Sequence, residues 1–269
     1  MSYQTLTLKY SDQIAYIELA RPEKHNALNI TMFNEIDGVI KTLKKNKDIR
    51  AVIVSGQGES FCSGLDVKSV LSDAKSSIKL LFKWLPWQAN LAQRVSTAWR
   101  KVPVPVIFAL HGKCWGGGLQ IALGGDFRIA TPDVSIAIME ARWGLIPDMG
   151  GTLALKELIK LDVAKELAMT GKIIDGQQAL STGLITKISD DPLAQATLMA
   201  QEIINQSPDA ITACKKLYNK SWWGSAGMAL ARESFYQLRI ICGKNFRIKG
   251  YNQTHDKSEH KNFKQRMRW

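Results

Sequence analysis

The chain has 269 residues, enough for one large domain or two small ones and for a sizeable core that needs no disulfide or metal staple. Hydrophobic residues make up 45% and charged residues 22%, which excludes disorder for the bulk of the chain. The 36 Lys and Arg residues against 24 Asp and Glu give a net charge of +12. Such a balance favours either anionic partners or a solvated, lysine-covered surface.

The sequence also bears on membrane insertion, metal binding and cellular location. The sequence has no run of eighteen uncharged apolar residues, and residues 1–10 lack the plan of a signal peptide, so we expect no membrane insertion. The four cysteines form no Cys-x-x-Cys pair, which argues against a zinc site or a disulfide framework. We therefore expect reduced thiols, a cytoplasmic location and no metal.

The first half of the chain predicts strands that alternate with helices. Alternating polar and apolar residues at 6–9 and 14–19 predict a hairpin, and Thr31 is typical of an N-cap for a helix that follows to residue 43. Further strands are predicted at 51–55, 104–110, 127–130 and 135–138, and further helices at 77–100 and 116–123. This alternation predicts an α/β fold with a largely parallel sheet.

The second half is predicted to be helical. The predicted helices cover 153–159, 163–169, 176–181, 193–205, 209–220 and 226–242, with one strand at 184–188. No repeat and no linker divides the chain. We therefore expect an α/β core over 1–200, a C-terminal helical region over 201–243, and a basic tail over 244–269 that is loosely held.

Three glycine-bearing segments are candidates for a functional site: 58–66 and 111–120, which each follow a predicted strand, and 140–151. Glycines at such junctions let backbone N–H groups approach a ligand, and a helix N-terminus adds a positive dipole end. The spacing fits neither a dinucleotide fingerprint nor a phosphate loop. Taken alone, each segment is also typical of a tight turn.

Four motifs together resemble the enoyl-CoA hydratase/isomerase (crotonase) superfamily. They are RPEKHNALN at 21–29, FCSGLD at 61–66, WGGGLQ at 115–120 and EARWGLIPDMGG at 140–151, and the resemblance extends over about 6–242. It implies repeated ββα units in two nearly perpendicular sheets, with C-terminal helices that build a homotrimer, two of which usually stack into a hexamer. It also implies an acyl-CoA thioester as substrate, with coenzyme A as part of that substrate and no permanently bound cofactor.

The shared chemistry of the family is an enolate whose charge rests on the thioester oxygen. By their places in the motifs, the backbone N–H groups of Leu65 and Gly117 are the implied oxyanion donors. Removing one such donor typically costs on the order of 3 kcal/mol of transition-state stabilisation. The helix that begins near Gly117 would add its dipole in the same direction.

The acid/base positions depart from the family's hydratases, which hold a water between two glutamates. Here Gln120 occupies the first position and Glu140 the second, and an amide cannot accept a proton from water. Asp148 occupies a place where dienoyl-CoA isomerases of the superfamily carry an aspartate. We therefore favour an isomerase-like activity. A true enoyl-CoA hydratase, with Asp148 replacing the missing carboxylate, is the alternative.

The resemblance also implies which residues border coenzyme A and the acyl chain. Those near coenzyme A are Lys24, His25, Ala27, Ser63, Gly64, Asp66, Val67, Lys68, Trp115 and Gly116. The acyl tunnel is expected along the helix after Ser77, with a bulky apolar set formed by Phe82, Trp84, Leu85 and Trp87.

Two remote alternatives stay open. One member of the superfamily binds RNA through a lysine-rich helix near the place of residues 41–47, and the basic tail could contribute to such binding. We do not expect nucleic acid as a partner, because the sequence shows no aromatic stacking platform and no RNA-binding motif. The other alternative is an inactive member that binds acyl-CoA without turnover.

Overall fold

The computed structural model describes residues 3–71 and 74–269. The strands are β1 (Leu6–Ser11), β2 (Ile14–Leu19), β3 (Ala51–Gly56), β4 (Val106–Leu110), β5 (Lys113–Trp115), β6 (Phe127–Ala130), β7 (Ser135–Ala137), β8 (Ile173–Ile174) and β9 (Lys187–Ile188). The helices of the α/β half are α1 (Ile30–Lys45), α2 (Val67–Leu71), α3 (Ala74–Leu81), α4 (Leu91–Thr97) and α5 (Gly117–Ala122). The later helices are α6 (Gly151–Leu158), α7 (Leu161–Thr170), α8 (Gly176–Thr182), α9 (Pro192–Ile204), α10 (Pro208–Ser221), α11 (Ala226–Ile241) and α12 (Lys244–Thr254).

The strands form two sheets. Six of them lie in the order β1-β2-β3-β4-β6-β9, where β1 and β2 pair antiparallel and all later neighbours pair parallel. The second sheet has the order β5-β7-β8. The predicted α/β class and the largely parallel sheet are confirmed. Because β4 and β5 are consecutive in the chain but lie in different sheets, the chain leaves the large sheet at 111–112, inside the second glycine-bearing segment.

The large sheet is covered on both faces, which explains why its central strands are continuous apolar runs. Every residue of β3 and β4 is buried. On one face Phe33 and Ile36 of α1 belong to the main core with Val54. On the other face Ala196 and Ala200 of α9 pack with Ile53 and its neighbours on the sheet.

The bounds of two predicted helices differ from those observed in the structure. Helix α1 starts at Ile30, and its N-cap is Asn29, whose side chain accepts a hydrogen bond from the Met32 N–H. The single helix predicted over 77–100 is wrong, because α3 ends at Leu81 and α4 starts only at Leu91. Pro86 lies in the interval and disfavours helix, while Asn90 forms a capping box with Gln93 that starts the new helix.

The basic tail, expected to be loosely held, is anchored to the core. Arg266 is only 7% exposed, and its guanidinium donates to the carbonyls of Lys47 (2.9 Å), Ile49 (2.8 Å) and Asn46. A cation there complements the negative end of the α1 dipole. The Met267 N–H also donates to the carboxylate of Asp209 at 2.6 Å.

We expect Arg266→Ala to destabilise the protein by about 3 kcal/mol, because three carbonyls, one of them buried, lose a charged donor that is itself buried. Denaturant unfolding followed by circular dichroism measures the loss. Arg268→Ala is the matched control, since this arginine is exposed, and it should change stability by less than about 0.5 kcal/mol. An Arg266→Ala protein that unfolds at the wild-type midpoint would show that the tail does not stabilise the fold.

Candidate active site

The three glycine-bearing segments meet at one cavity of about 670 Å³. The loop after β3 contributes Ser63, Gly64 and Leu65, the β5–α5 junction contributes Trp115, Gly116 and Gly117, and the segment before α6 contributes Glu140, Asp148 and Met149. The rest of the wall is mostly apolar and includes Phe33, Val70, Leu80, Leu81, Ala92, Trp143, Leu145 and Ile146. An apolar cavity with a few polar groups at one place is the usual form of a small-molecule site.

Leu65 and Gly117 both line this cavity, on two segments that approach each other closely. Backbone hydrogen bonds flank Leu65 on both sides: the Leu28 N–H donates to the Gly64 carbonyl, and the Asp66 N–H donates to the Leu28 carbonyl. Within the described part of the chain, the N–H groups of Leu65 and Gly117 donate to no protein acceptor. A methyl group built on Gly64 would lie 3.6 Å from the Gly117 nitrogen, so the two segments approach at van der Waals distance.

The closeness of these segments depends on glycine. Gly64 has φ +95° and Gly116 has φ +49°, in the region that residues with a side chain rarely adopt. A methyl group on Gly64 would also lie 3.0 Å from the carbonyl oxygen of Trp115. A larger residue at position 64 would therefore displace the β5–α5 junction.

At the polar end of the cavity, Glu140 lines the wall and Gln120 lies behind it, hydrogen-bonded to the Glu140 carboxylate. Gln120, on α5, is 2% exposed. Its Oε1 accepts hydrogen bonds from the N–H groups of Met149 (3.0 Å) and Gly151 (3.1 Å), and its Nε2 donates to Glu140 Oε1 at 2.5 Å. The second oxygen of that carboxylate, Oε2, is buried and has no hydrogen-bond partner among residues 3–71 and 74–269.

The environment of Glu140 changes its acidity. Burial raises the pKa of this carboxyl group above its ordinary value, and the negative charge of Asp148 raises the pKa further. Hydrogen bonding from the backbone N–H of Glu140 itself, from the Gln120 side chain and from the backbone N–H of Met139 lowers the pKa and partly offsets this rise. A raised pKa brings the carboxyl group closer to working pH, where general acid/base catalysis is most effective.

The predicted neighbours of coenzyme A divide into two groups. Ser63, Gly64, Val67, Trp115 and Gly116 line the cavity. The others do not line it in the described part of the chain: Lys24 and Lys68 are exposed, Ala27 and His25 are partly buried, and Asp66 forms an ion pair with Arg21 at 3.2 Å.

The helix after Ser77, expected along the acyl tunnel, reaches the cavity through residues other than the bulky set of Phe82, Trp84, Leu85 and Trp87. All four side chains are exposed, Trp84 by 85%, and none belongs to the described wall of the cavity. The apolar wall on this side is formed by Leu80 and Leu81 instead. The end of α3 at Leu81 turns the following aromatic residues outward.

Several residues of the site are not among those predicted from the sequence. Met149 is 5% exposed, and a methyl group on Gly117 would lie only 2.8 Å from its sulfur. Phe33 and Trp143 also line the cavity. The position of Met149 between Asp148 and two glycines was the available signal, whereas Phe33 has the pattern of an ordinary core residue.

Comparison with known proteins identifies the family. The sequence model of a family described as enoyl-CoA hydratase/isomerase matches residues 9–254. The chain therefore belongs to the enoyl-CoA hydratase/isomerase family, and the predicted superfamily is confirmed. Homologues in this family are named as enzymes, both hydratases and isomerases, and the chain is an enzyme of the same family.

Particular relatives carry both kinds of name. The short-chain-enoyl-CoA hydratase of Clostridium acetobutylicum is 30% identical over 87% of this chain and 88% of its own length. The mitochondrial Delta(3,5)-Delta(2,4)-dienoyl-CoA isomerase of Rattus norvegicus is 31% identical over 75% of this chain and 64% of its own length. The crystal structure of an enoyl-CoA hydratase from Bacillus anthracis superimposes with a TM-score of 0.85 at 26% identity, covering 97% of this chain and 99% of that one.

The described residues contain no helix that is both long and apolar enough to cross a membrane. Nor do residues 3–71 and 74–269 bring together three side chains of the types that hold a metal ion.

Proposed function

We propose that this enzyme moves a double bond along an acyl-CoA thioester, through an enolate that Leu65 and Gly117 stabilise and with Glu140 as the acid/base. The observation that carries the proposal is the bonding of Gln120. Both ends of its amide are engaged by protein groups, so position 120 offers no second proton acceptor beside Glu140. One carboxylate suffices for a 1,3-proton transfer, whereas water addition by the family's route needs two.

The reaction balances with the residues of this cavity. Glu140 takes a proton from the α-carbon of a β,γ-enoyl thioester, and the C–H electron pair gives a dienolate whose charge rests on the thioester oxygen. The N–H groups of Leu65 and Gly117 donate to that oxygen. Glu140 then returns the proton to the γ-carbon while the new double bond forms between the α- and β-carbons. No electron leaves the substrate, so the step needs no permanently bound cofactor.

Enoyl-CoA hydration is the second candidate, because one observation favours it. Asp148 lines the same cavity as Glu140 and supplies a second carboxylate, although its side chain is largely exposed. In this alternative Asp148 activates a water for addition to the β-carbon, and Glu140 delivers a proton to the α-carbon.

A panel of enoyl-CoA isomers separates these candidates. We expect β,γ-enoyl or 3,5-dienoyl thioesters to change absorbance at the conjugated thioester band, with slow or no loss of absorbance from crotonyl-CoA. Rapid loss of crotonyl-CoA absorbance would contradict the isomerase proposal in favour of hydration. Binding of several CoA esters without turnover of any would indicate an inactive acyl-CoA-binding member.

Association and location are proposed with the function. The C-terminal region carries exposed apolar side chains on or beside α10 and α11, which supports burial of this face in a homotrimer or a hexamer; they are Tyr218, Trp222, Trp223, Leu230, Phe235 and Leu238. The four cysteines are free thiols, which supports a reducing compartment such as the cytoplasm.

A further inference from the structure

We infer that Gln120 is a positioning residue that acts through Glu140, by holding Oε1 of its carboxylate. The inference rests on the acid/base role proposed for Glu140. Both ends of the Gln120 amide bond to the protein itself, so neither end is left to orient water or substrate.

The orientation of the Gln120 amide follows from its partners. Two backbone N–H groups, from Met149 and Gly151, point at one end of the amide, and only the oxygen can accept from them. The NH2 group must therefore face Glu140. The position of the side chain is also restricted, since a methyl group on Gly151 would lie 2.9 Å from Gln120 Oε1. At the other side, the Ser96 hydroxyl donates to the Gln120 backbone carbonyl.

The fixed position of the Gln120 amide gives the two oxygens of Glu140 different hydrogen bonding. Oε1 accepts the hydrogen bond from Gln120, which favours negative charge on that oxygen. Oε2 is buried without a partner, and a buried polar atom left unpaired is costly in a native protein. The hydrogen bond from Gln120 is therefore the side-chain contact that favours the ionised form of Glu140. Among the described residues, Asp148 is the one other charged group that acts on Glu140.

The inference predicts how the pH profile responds to two substitutions. Gln120→Leu removes the donor to Glu140, so the acid limb of kcat/KM, which reports ionisation of the base, should move up by about 1–2 pH units. Gln120→Glu keeps an acceptor for the Met149 and Gly151 N–H groups but places a carboxylate against Glu140. Two adjacent carboxylates resist double ionisation, so the limb should again move up.

The pair of variants separates positioning from a structural role. Gln120→Glu preserves the acceptor for the two backbone amides, so it decides the question even where Gln120→Leu does not fold. Gln178→Leu is the matched control, because Gln178 caps α8 away from the cavity, and the acid limb should stay in place. An acid limb that stays at the wild-type pH, or moves down, in Gln120→Glu would overturn the inference.

The result is also distinguishable from failure of the proposed function. If Glu140→Gln retains full turnover, both the proposed function and this inference fail. If Glu140→Gln is inactive while the Gln120 variants keep the wild-type acid limb, the proposed function stands and only the role of Gln120 is rejected.

Discussion

Replacing Glu140 with Gln is expected to lower kcat/KM by about 10²–10⁴-fold, the usual contribution of a general acid/base. The amide has nearly the same shape, but it cannot take the proton from the α-carbon or return it to the γ-carbon. Steady-state kinetics with the best substrate of the enoyl-CoA panel measures the effect. Undiminished turnover would remove Glu140 from the mechanism.

Asp148→Asn is the matched comparison for this experiment. The Asp148 side chain is exposed at the cavity wall. If Glu140 alone carries the isomerisation, we therefore expect Asp148→Asn to lower kcat/KM by less than about tenfold. A loss as large as that of Glu140→Gln would indicate that both carboxylates act, which is the condition for hydration by this pair.

Thermal stability gives the Glu140→Gln variant a second readout. Burial raises the pKa of Glu140 in the folded protein. The protonated carboxyl group therefore contributes stability that is fully present below the unfolded-state pKa. This stability is lost as the pH rises through the folded-state pKa. The amide does not titrate. Glu140→Gln should therefore melt at a higher temperature than wild type at about pH 8, and the difference should shrink as the pH falls toward about 4.

Gly64→Ala is expected to lower kcat by about 10²–10³-fold, the loss typical of a disrupted oxyanion site. The added methyl group would lie 3.0 Å from the Trp115 carbonyl and 3.6 Å from the Gly117 nitrogen. In addition, φ of +95° strains any residue with a side chain, which would turn the peptide that carries the Leu65 N–H. The N–H groups of Leu65 and Gly117 could then no longer donate to the same thioester oxygen.

Gly38→Ala controls for the general effect of adding a methyl group. Gly38 lies within α1, and a methyl group there would meet nothing within 4 Å. We expect wild-type kcat and a stability gain of up to about 1 kcal/mol, since alanine favours helix. Kinetics are compared at a temperature where melting curves show each variant folded. Wild-type kcat in Gly64→Ala would contradict the oxyanion role of this junction.

Features that depend on neighbouring residues could be predicted from the sequence. The apolar runs of β3 and β4 and the helical spacing of α1 and α9 located the main layers of the fold, because strand and helix periods are local properties. The motif residues also indicated the site: Leu65, Gly117, Gln120, Glu140 and Asp148 were chosen from sequence. The structure brings all of these except Gln120 to the cavity wall, and Gln120 contacts Glu140 from behind it.

Features that depend on partners far apart in the chain become visible only once the chain is folded. Arg266 holds the tail through carbonyls about 220 residues earlier, so no local pattern could reveal it. The role of Gln120 depends on Met149 and Gly151, which lie 29 and 31 residues away. The outward turn of Trp84 and Trp87 follows from the break after α3. Hydrogen bonds and cavity walls are made by packing, and side-chain identity fixes what a residue can bond to but not which partner reaches it.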